Sequence, residues 1–484
     1  MAISTVIRNC RALIPSDDRY DLVDCDIITG DGAISAVVAP NTAVIGPEDS
    51  VMSGDDRLVV PGLINAHSHS PSNMVKGTAD GMGHIEFMWT NQADSFGRSE
   101  EEIYASAVLG CVEMIRRGVT AVIDHYPEQN CTTEAVAPVV RAYADTGMRA
   151  AIALRIFDLP YDDIDPEHVE GIDETLKKEL ARENPLSIAP ADELAATCRE
   201  VVDRWHRHEG RISIFPGPSN TARCSDELLV HCFDIAEEHD LGLHAHMLET
   251  RVQKEITFDR HGRTMPAHLD ALGVLCHRWS FAHSVWVDDD DIDLLASRGV
   301  VVVHNPESNA KIGVGSAPVA RMLDRGVTVA LGTDGASTND NQNMHEAMNL
   351  AVLLPRILDA DRSSWFDAHR ALAMATTSGA KALNMAGQLG AIAPGMRADL
   401  VLYDLNSVSM APLNDVVQQL VFCERGESVV TVMVDGQIVY DNGRFAFGDA
   451  DAIIRDMSKM RRAQLDRNPA LYRVVRQLAA KSRG

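Results

Sequence analysis

Apolar and polar positions along the chain fall into three textures. From residue 1 to about 57 they alternate around turn residues, as in GDGAIS and APNTAVIGPEDS, which predicts several short antiparallel strands. The far end repeats this texture at Ala398–Tyr403 (ADLVLY) and Val429–Tyr440 (VVTVMVDGQIVY), the latter with the hairpin signal Asp435-Gly436. Two ends of one texture predict one small β domain, a β-sandwich built from residues 1–57 and 394–445.

Between them, short apolar strands alternate with longer helical stretches, the pattern of βα units around a parallel sheet. Eight strand candidates stand out: Leu58–Ala66, Val119–His125, Ala150–Phe157, Ile212–Pro216, Gly242–His246, Trp279–His283, Val300–His304 and Thr328–Thr333. Ser99–Arg117, Asp192–His208 and Asp288–Arg298 read as helices among them. Eight consecutive units favour an α/β fold of the (β/α)8 TIM-barrel type over residues 58–393, rather than an open doubly wound sheet. The Asp288–Asp291 run reads as first-turn carboxylates of a helix and not as a cation site. Residues 446–484, rich in Arg, Ala and Leu, read as a helical tail packed on the outside of the barrel or on a partner chain.

Composition narrows the partners. With 484 residues and a net charge of −26, the chain is large enough for a major and a minor domain and repels nucleic acid and anionic membrane surfaces. A small neutral or cationic substrate fits better. No apolar run approaches the roughly 20 residues of a membrane-spanning helix. The opening MAISTVIRNCRALIPSDD meets polar residues too soon for a signal peptide. Nine scattered cysteines without a CxxC pair point to a reducing, cytoplasmic setting.

Chemically able residues recur where the strands finish, which is the face where such barrels place their sites. Strand one delivers His67 and His69, on the same side of a strand end. Strand five carries His244 and His246 and runs on to Glu249; strand six ends in His283, strand seven in His304 and strand eight in Asp334. A lone histidine at a strand end is ordinarily a hydrogen-bonded core residue, but five strands repeat the coincidence. Two histidines from one strand, one from another and a carboxylate from a third supply ligands suited to zinc or iron(II), with room for a water. Nothing nearby supplies the thiolates of a closed structural site. Glu249 would then sit close enough to carry a proton, and His283 could orient the water or polarise the reacting carbon.

With these residues in order, the chain resembles the amidohydrolase superfamily, in the branch of cytosine, guanine and adenosylhomocysteine deaminases and triazine hydrolases. The likeness covers nearly the whole chain and rests on PGLINAHSH (61–69), HAHMLET (244–250), FAHSVWV (281–287), VVHNPESNAKIGVGSAP (302–318), LGTDGASTNDNQNM (331–344) and GAIAPGMRADLVLYDL (390–405). The resemblance implies one divalent transition metal per subunit, zinc before iron(II), held by His67, His69, His246 and Asp334. It implies catalytic roles for Glu249, His283 and Asp334. Binuclear relatives use a lysine after strand four; here Phe215-Pro216-Gly217-Pro218-Ser219-Asn220 has none, which favours a single metal. His244 matches no ligand and reads as a supporting residue. Purine-type and adenosylhomocysteine-type deaminases commonly carry a substrate-contacting histidine after strand four, where this chain has Ser219-Asn220; the general run of the sequence looks closer to the triazine side.

The expected reaction replaces an exocyclic amino group of a nitrogen heterocycle by oxygen through a metal-activated water. The alternatives are a triazine-type hydrolase removing chloride or an alkylamine, an amide or urea C–N hydrolase, and, more remotely, a non-enzymatic scaffold, whose mark would be degenerate ligands. Expected pocket residues are Trp89 after strand one, Ser219 and Asn220 after strand four, and His304 with Asn309 after strand seven. Relatives of this kind are often oligomers, so a homo-oligomer is expected.

Overall fold

The computed structural model describes residues 4–16, 19–127, 129, 131–165 and 172–481. The two chain ends meet in a nine-stranded sheet. Thr5–Ser16 pairs antiparallel with Arg19–Gly30, which pairs with Ala33–Val38. On its other side Thr5–Ser16 runs beside Arg57–Pro61, which pairs with Leu400–Asp404, and the sheet continues through Val429–Val434, Gln437–Asp441 and Arg444–Phe445.

Alternation decides what each face covers. Val59, Leu400 and Leu402 join Ile7, Ile27 and Ile34 in a core belonging to this sheet. Their neighbours Leu58, Val60, Val401 and Tyr403 turn to the other side and join the main core.

The centre of the chain forms two four-stranded parallel sheets with strands in sequence order. The first holds β1 (Leu63–Ser68), β2 (Val119–Tyr126), β3 (Arg149–Ile156) and β4 (Ile212–Pro218). The second holds β5 (Leu243–Met247), β6 (Trp279–His283), β7 (Val301–His304) and β8 (Thr328–Leu331). Their outer edges approach one another: Asn220, just past β4, bridges to His246 of β5, and Asp334 N–H, just past β8, donates to the carbonyl of His67 in β1 at 2.9 Å. Arg149 at the start of β3, almost wholly buried, ties this part to the end sheet through Asp399 at 2.9 and 3.0 Å and Asp435 at 3.0 Å.

One expected strand divides. Leu58–Ala66 reads as a single run, but it splits at Gly62 into Arg57–Pro61 of the end sheet and β1. The turn requires glycine, because a Cβ at residue 62 would stand 2.1 Å from Thr120 Oγ1, and Gly62 N–H is taken by Asp399 O at 2.8 Å. Hydrophobicity is continuous across that break, so periodicity alone could not reveal it.

Asp288 caps the helix Asp289–Ser297 in a capping box with Asp291, as its acidic first turn suggests. Four further helices shape the site: α1 (His84–Ser95), α2 (Glu174–Glu183), α3 (Ala450–Arg467) and α4 (Pro469–Lys481). The tail helix α4 packs on α1 and α2 of its own chain. Among the described residues no helix is long and apolar enough to cross a membrane.

Candidate metal centre and its cavity

Three imidazoles converge where β1 and β5 end, each turned inward by a bond at its far nitrogen. His69 Nδ1 donates to the carbonyl of His125 at 2.9 Å, and His246 Nδ1 to the carbonyl of Ser219. His67 Nδ1 meets His244 Nε2 at 2.8 Å, and a short chain of bonds assigns the proton. Ser280 Oγ donates to Leu243 O, so it accepts from His244 Nδ1 at 2.7 Å. His244 Nε2 is therefore the acceptor and His67 Nδ1 the donor. All three inward Nε2 atoms are left with lone pairs facing a common point.

Asp334 completes the set. His69 Nε2 and His246 Nε2 are 3.2 Å apart, and Asp334 Oδ1 lies 3.4 Å from both His67 Nε2 and His69 Nε2. Donors bonded tetrahedrally to a zinc-sized ion at 2.0–2.1 Å are separated by about 3.3 Å. His67 Nε2 is buried without a hydrogen-bond partner, which no packing argument explains and a bound cation does. Burial, followed by neighbouring imidazoles, holds His67 and His246 well below the ordinary histidine range, so both are neutral, the form that ligates. The donor set fits a divalent ion. His125 lies beside it, its ring against those of His69 and His246, with Nε2 on Gly217 O at 3.1 Å.

The backbone is unusual at these strand ends. Asp334 has φ 62°, His283 φ 73°, Ser284 φ 48° and Leu248, next to Glu249, φ 47°. Non-glycine residues held in this region persist where their surroundings over-determine them. For Asp334 the surroundings are visible: Ser308 Oγ at 2.6 Å and Thr338 Oγ1 at 3.3 Å on Oδ2, and Gly335 N–H at 2.7 Å on Oδ1. Gly332 lets β8 come this close, since a Cβ there would meet His67 Cβ at 2.7 Å.

Above the donors stand Glu249 and His283. His283 Nδ1 donates to Asn309 Oδ1 at 2.9 Å, and its Nε2 lies 3.8 Å from Glu249 Oε1 and 3.9 Å from Asp334 Oδ2. Glu249 Oε2 lies 3.4 Å from His84 Nε2. Burial raises the Glu249 carboxyl, but His283 and then His84 outweigh it and hold it down at about 2. Glu249 is thus an ionised carboxylate facing the cavity.

That cavity lies against the donor residues themselves. Its floor is His69, His246, Glu249, His283 and Asp334; α1 contributes His84, Phe87, Met88 and Asn91; Arg155, Asn220, Arg223, Gly335 and Ser337 form the remaining wall.

Of the five expected pocket residues, Asn220 lines the cavity and four do not. Trp89 lies on the opposite face of α1, its Nε1 donating to Ile164 O at 3.1 Å and its ring in a cluster with α2 and α4. Ser219 is wholly buried and works on its neighbours: its carbonyl takes His246 Nδ1 and its hydroxyl accepts Arg155 Nε at 2.9 Å. Asn309 acts through His283. His304 is sealed in the interior, where burial and then His283 push it to about 3.

The sequence reading passed over His84, Phe87, Met88, Asn91, Arg155, Arg223 and Ser337. Two signals were present: positions 84, 87, 88 and 91 share one helical face, and Arg155 is a charged residue at the end of an apolar strand.

Comparison with known proteins agrees with this geometry. The amidohydrolase family model matches residues 58–439. A 5-methylthioadenosine/S-adenosylhomocysteine deaminase of Nitratidesulfovibrio vulgaris is 34% identical, covering 91% of this chain and 94% of its own. A 5'-deoxyadenosine deaminase of Methanothermobacter thermautotrophicus is 35% identical over 83% and 86% of the two chains. Among solved structures, an adenosine deaminase from Xanthomonas campestris with bound zinc superposes with a TM-score of 0.83 at 26% identity, covering 96% of this chain and 98% of that one. An atrazine chlorohydrolase from Arthrobacter aurescens complexed with zinc gives 0.84 at 24%, covering 94% and 100%, a likeness of fold alone. The leaning toward the triazine side is thereby corrected: the stronger sequence likeness is to deaminases named for adenosine-type compounds.

Proposed function

The chain belongs to the amidohydrolase family, and from that premise we propose that it is a metal-dependent aminohydrolase, a hydrolase of carbon–nitrogen bonds other than peptide bonds, that removes the exocyclic amino group of an adenosine-type ring. We assign His67, His69, His246 and Asp334 to one divalent ion, zinc ahead of iron(II), and Glu249, His283 and Asp334 to catalysis. The observation that carries this reading is the convergence of four donor atoms at ligand spacing directly beneath an ionised Glu249.

When bound, the ion supplies an activated water as the nucleophile near neutral pH. The side chains manage the protons. Glu249 is placed to accept a proton and pass it to the ring nitrogen beside the reacting carbon, so that charge does not build up on the ring. His283, oriented by Asn309, lies between Glu249 and Asp334 and keeps both carboxylates directed at the same small volume. The amino group departs as ammonia after gaining a proton; in sum C–NH₂ and water become C=O and ammonia, with the ring nitrogen protonated. Arg155, Arg223, Asn220 and Asn91 offer the polar wall against which the rest of the substrate rests.

A second reading keeps the site and changes the bond, removing chloride or an alkylamine from a triazine, or cleaving an amide or urea group. Ser219-Asn220, standing where purine-type relatives commonly carry a histidine, favours it.

We further propose that the two parallel sheets close into a (β/α)8 barrel over residues 58–393, with residues 1–57 and 394–445 as a β-sandwich and 446–484 as the tail. The approach of β4 to β5 and of β8 to β1 supports closure. A cytoplasmic homo-oligomer acting on a small molecule fits the acidic charge and the unpaired cysteines.

The test is a panel of adenosine-type nucleosides, aminopurines, aminopyrimidines, triazines and ureas, followed for ammonia and separately for loss of parent compound, with metal analysis of the purified protein. Ammonia from adenosine-type members and one metal per chain are expected. Loss of a triazine without ammonia would replace the first reading by the second, and absence of any bound or restorable metal would sink both.

A further inference from the structure

Helix α1 has two working faces. Residues 84, 87, 88 and 91, at i, i+3, i+4 and i+7, put His84, Phe87, Met88 and Asn91 on the cavity. On the other face Trp89 and Ala93 are buried against Leu471, Val475 and Leu478 of α4. The N-cap of α1, Gly83, supplies no side-chain bond.

The tail supplies the hold. Asp94, 1% exposed near the end of α1, accepts the Tyr472 hydroxyl at 2.9 Å and Arg461 Nη2 at 2.6 Å. Asn468 Nδ2 donates to Phe96 O at 3.2 Å, and Arg467 makes two bonds to Glu102, at 2.8 and 2.9 Å. A buried carboxylate met by a tail arginine and tyrosine couples the two segments, because withdrawing the arginine strands the charge of Asp94. At the opposite end of the same helix, His84 meets Glu249.

We propose that the C-terminal helical pair is a positioning element of the active site: by gripping the outer face and the far end of α1, it sets where His84, Phe87, Met88 and Asn91 stand over the substrate and how His84 meets Glu249. This rests on the cavity being the substrate site.

The experiment uses the full-length, metal-loaded protein and the variants Arg461→Met and Tyr472→Phe. Both are expected to raise amide hydrogen exchange in residues 84–95 while leaving β1–β8 and the metal content unchanged, and to lower kcat/KM roughly tenfold for Arg461→Met, and less for Tyr472→Phe, mainly through KM. Combining Arg461→Met with His84→Ala should cost less than the product of the two single losses, since both act on the same contact. Faster exchange in 84–95 with unchanged kcat/KM, or a loss of kcat/KM with α1 exchange unchanged, overturns the proposal. If Arg461→Met does not fold, Tyr472→Phe, which keeps the ring and removes one hydroxyl, decides alone. If no panel compound is turned over, the proposed function fails, while unchanged exchange in 84–95 would still refute the grip of the tail.

Discussion

The donors at the floor of the cavity and the side chains around its rim share one small space but are held in different ways. Every donor stands at or just past a strand end, and its orienting partner comes from another strand of the parallel sheets or the segment that follows one: Ser219 for His246, His125 for His69, His244 for His67, Ser308 for Asp334. The rim on α1 depends on a contact between Asp94 and Arg461, 367 residues apart in the chain. Chemistry that must not move is built on the sheets, while the part that meets the substrate hangs on a helix that the far end of the chain secures. Perturbations of floor and rim should therefore differ in kind as well as size.

The largest effect belongs to the floor. Replacing His246 or Asp334 by Ala should lower turnover by at least about a thousandfold, with metal content falling and far-ultraviolet circular dichroism unchanged. Substantial activity in either variant would remove these residues from the donor set.

One step out, His244→Phe takes away the acceptor that orients His67 while conserving most of the ring volume. Metal affinity, measured by competition with a chelator, or activity should drop by about 10- to 100-fold. Ser280→Ala, one bond further along the chain, should do the same more weakly. Equal affinity in His244→Phe and the wild type would mean that His67 needs no orienting partner.

The same contrast explains what could be read in advance. Strand ends are local in sequence: HSH, HAHMLE, FAH and GTD each place a donor or proton carrier at the close of an apolar run. Asn220 beside the cavity followed from the same logic, and Arg155 could have. The rim on α1 was legible only in part: residues 84, 87, 88 and 91 share one helical face, but residues 84–95 mix polar and apolar positions on both faces, and only the position of α4 says which face looks inward. Trp89 illustrates the difficulty: a flat aromatic after strand one is equally suited to stacking on a ring or filling a cluster, and the deciding neighbours lie near residue 475. Gly62 is similar, since the close approach of Thr120 is a tertiary fact.

Trp89 supplies a smaller, sharper test. Trp89→Phe loses the bond to Ile164 O and part of the packing, and should cost about 1–2 kcal/mol in urea unfolding, with kcat changed less than about twofold. A large change in kcat without loss of stability would return Trp89 to the reacting centre.

The last test probes the support of the floor through pH. Glu307 belongs to the helix Pro306–Lys311, in which Ser308 grips Asp334 and Asn309 grips His283. Burial, and then the charge of Glu346, raise its carboxyl from an ordinary 4.5 to about 8, against the opposing pull of Asn339, Arg117 and Arg425. Folded protein thus keeps a proton that unfolded chain releases, so the contribution of this proton to stability is complete below about 4.5 and is lost as pH rises through about 8. Glu307→Gln, which is neutral at every pH, should flatten that decline: between pH 6 and 9 the urea midpoint of the wild type should fall more than that of the variant. Parallel curves would mean that Glu307 is ionised throughout. Because this carboxyl sits behind the donors and not near α1, hydrogen exchange in residues 84–95 should not follow the same titration, which separates floor from rim within one experiment.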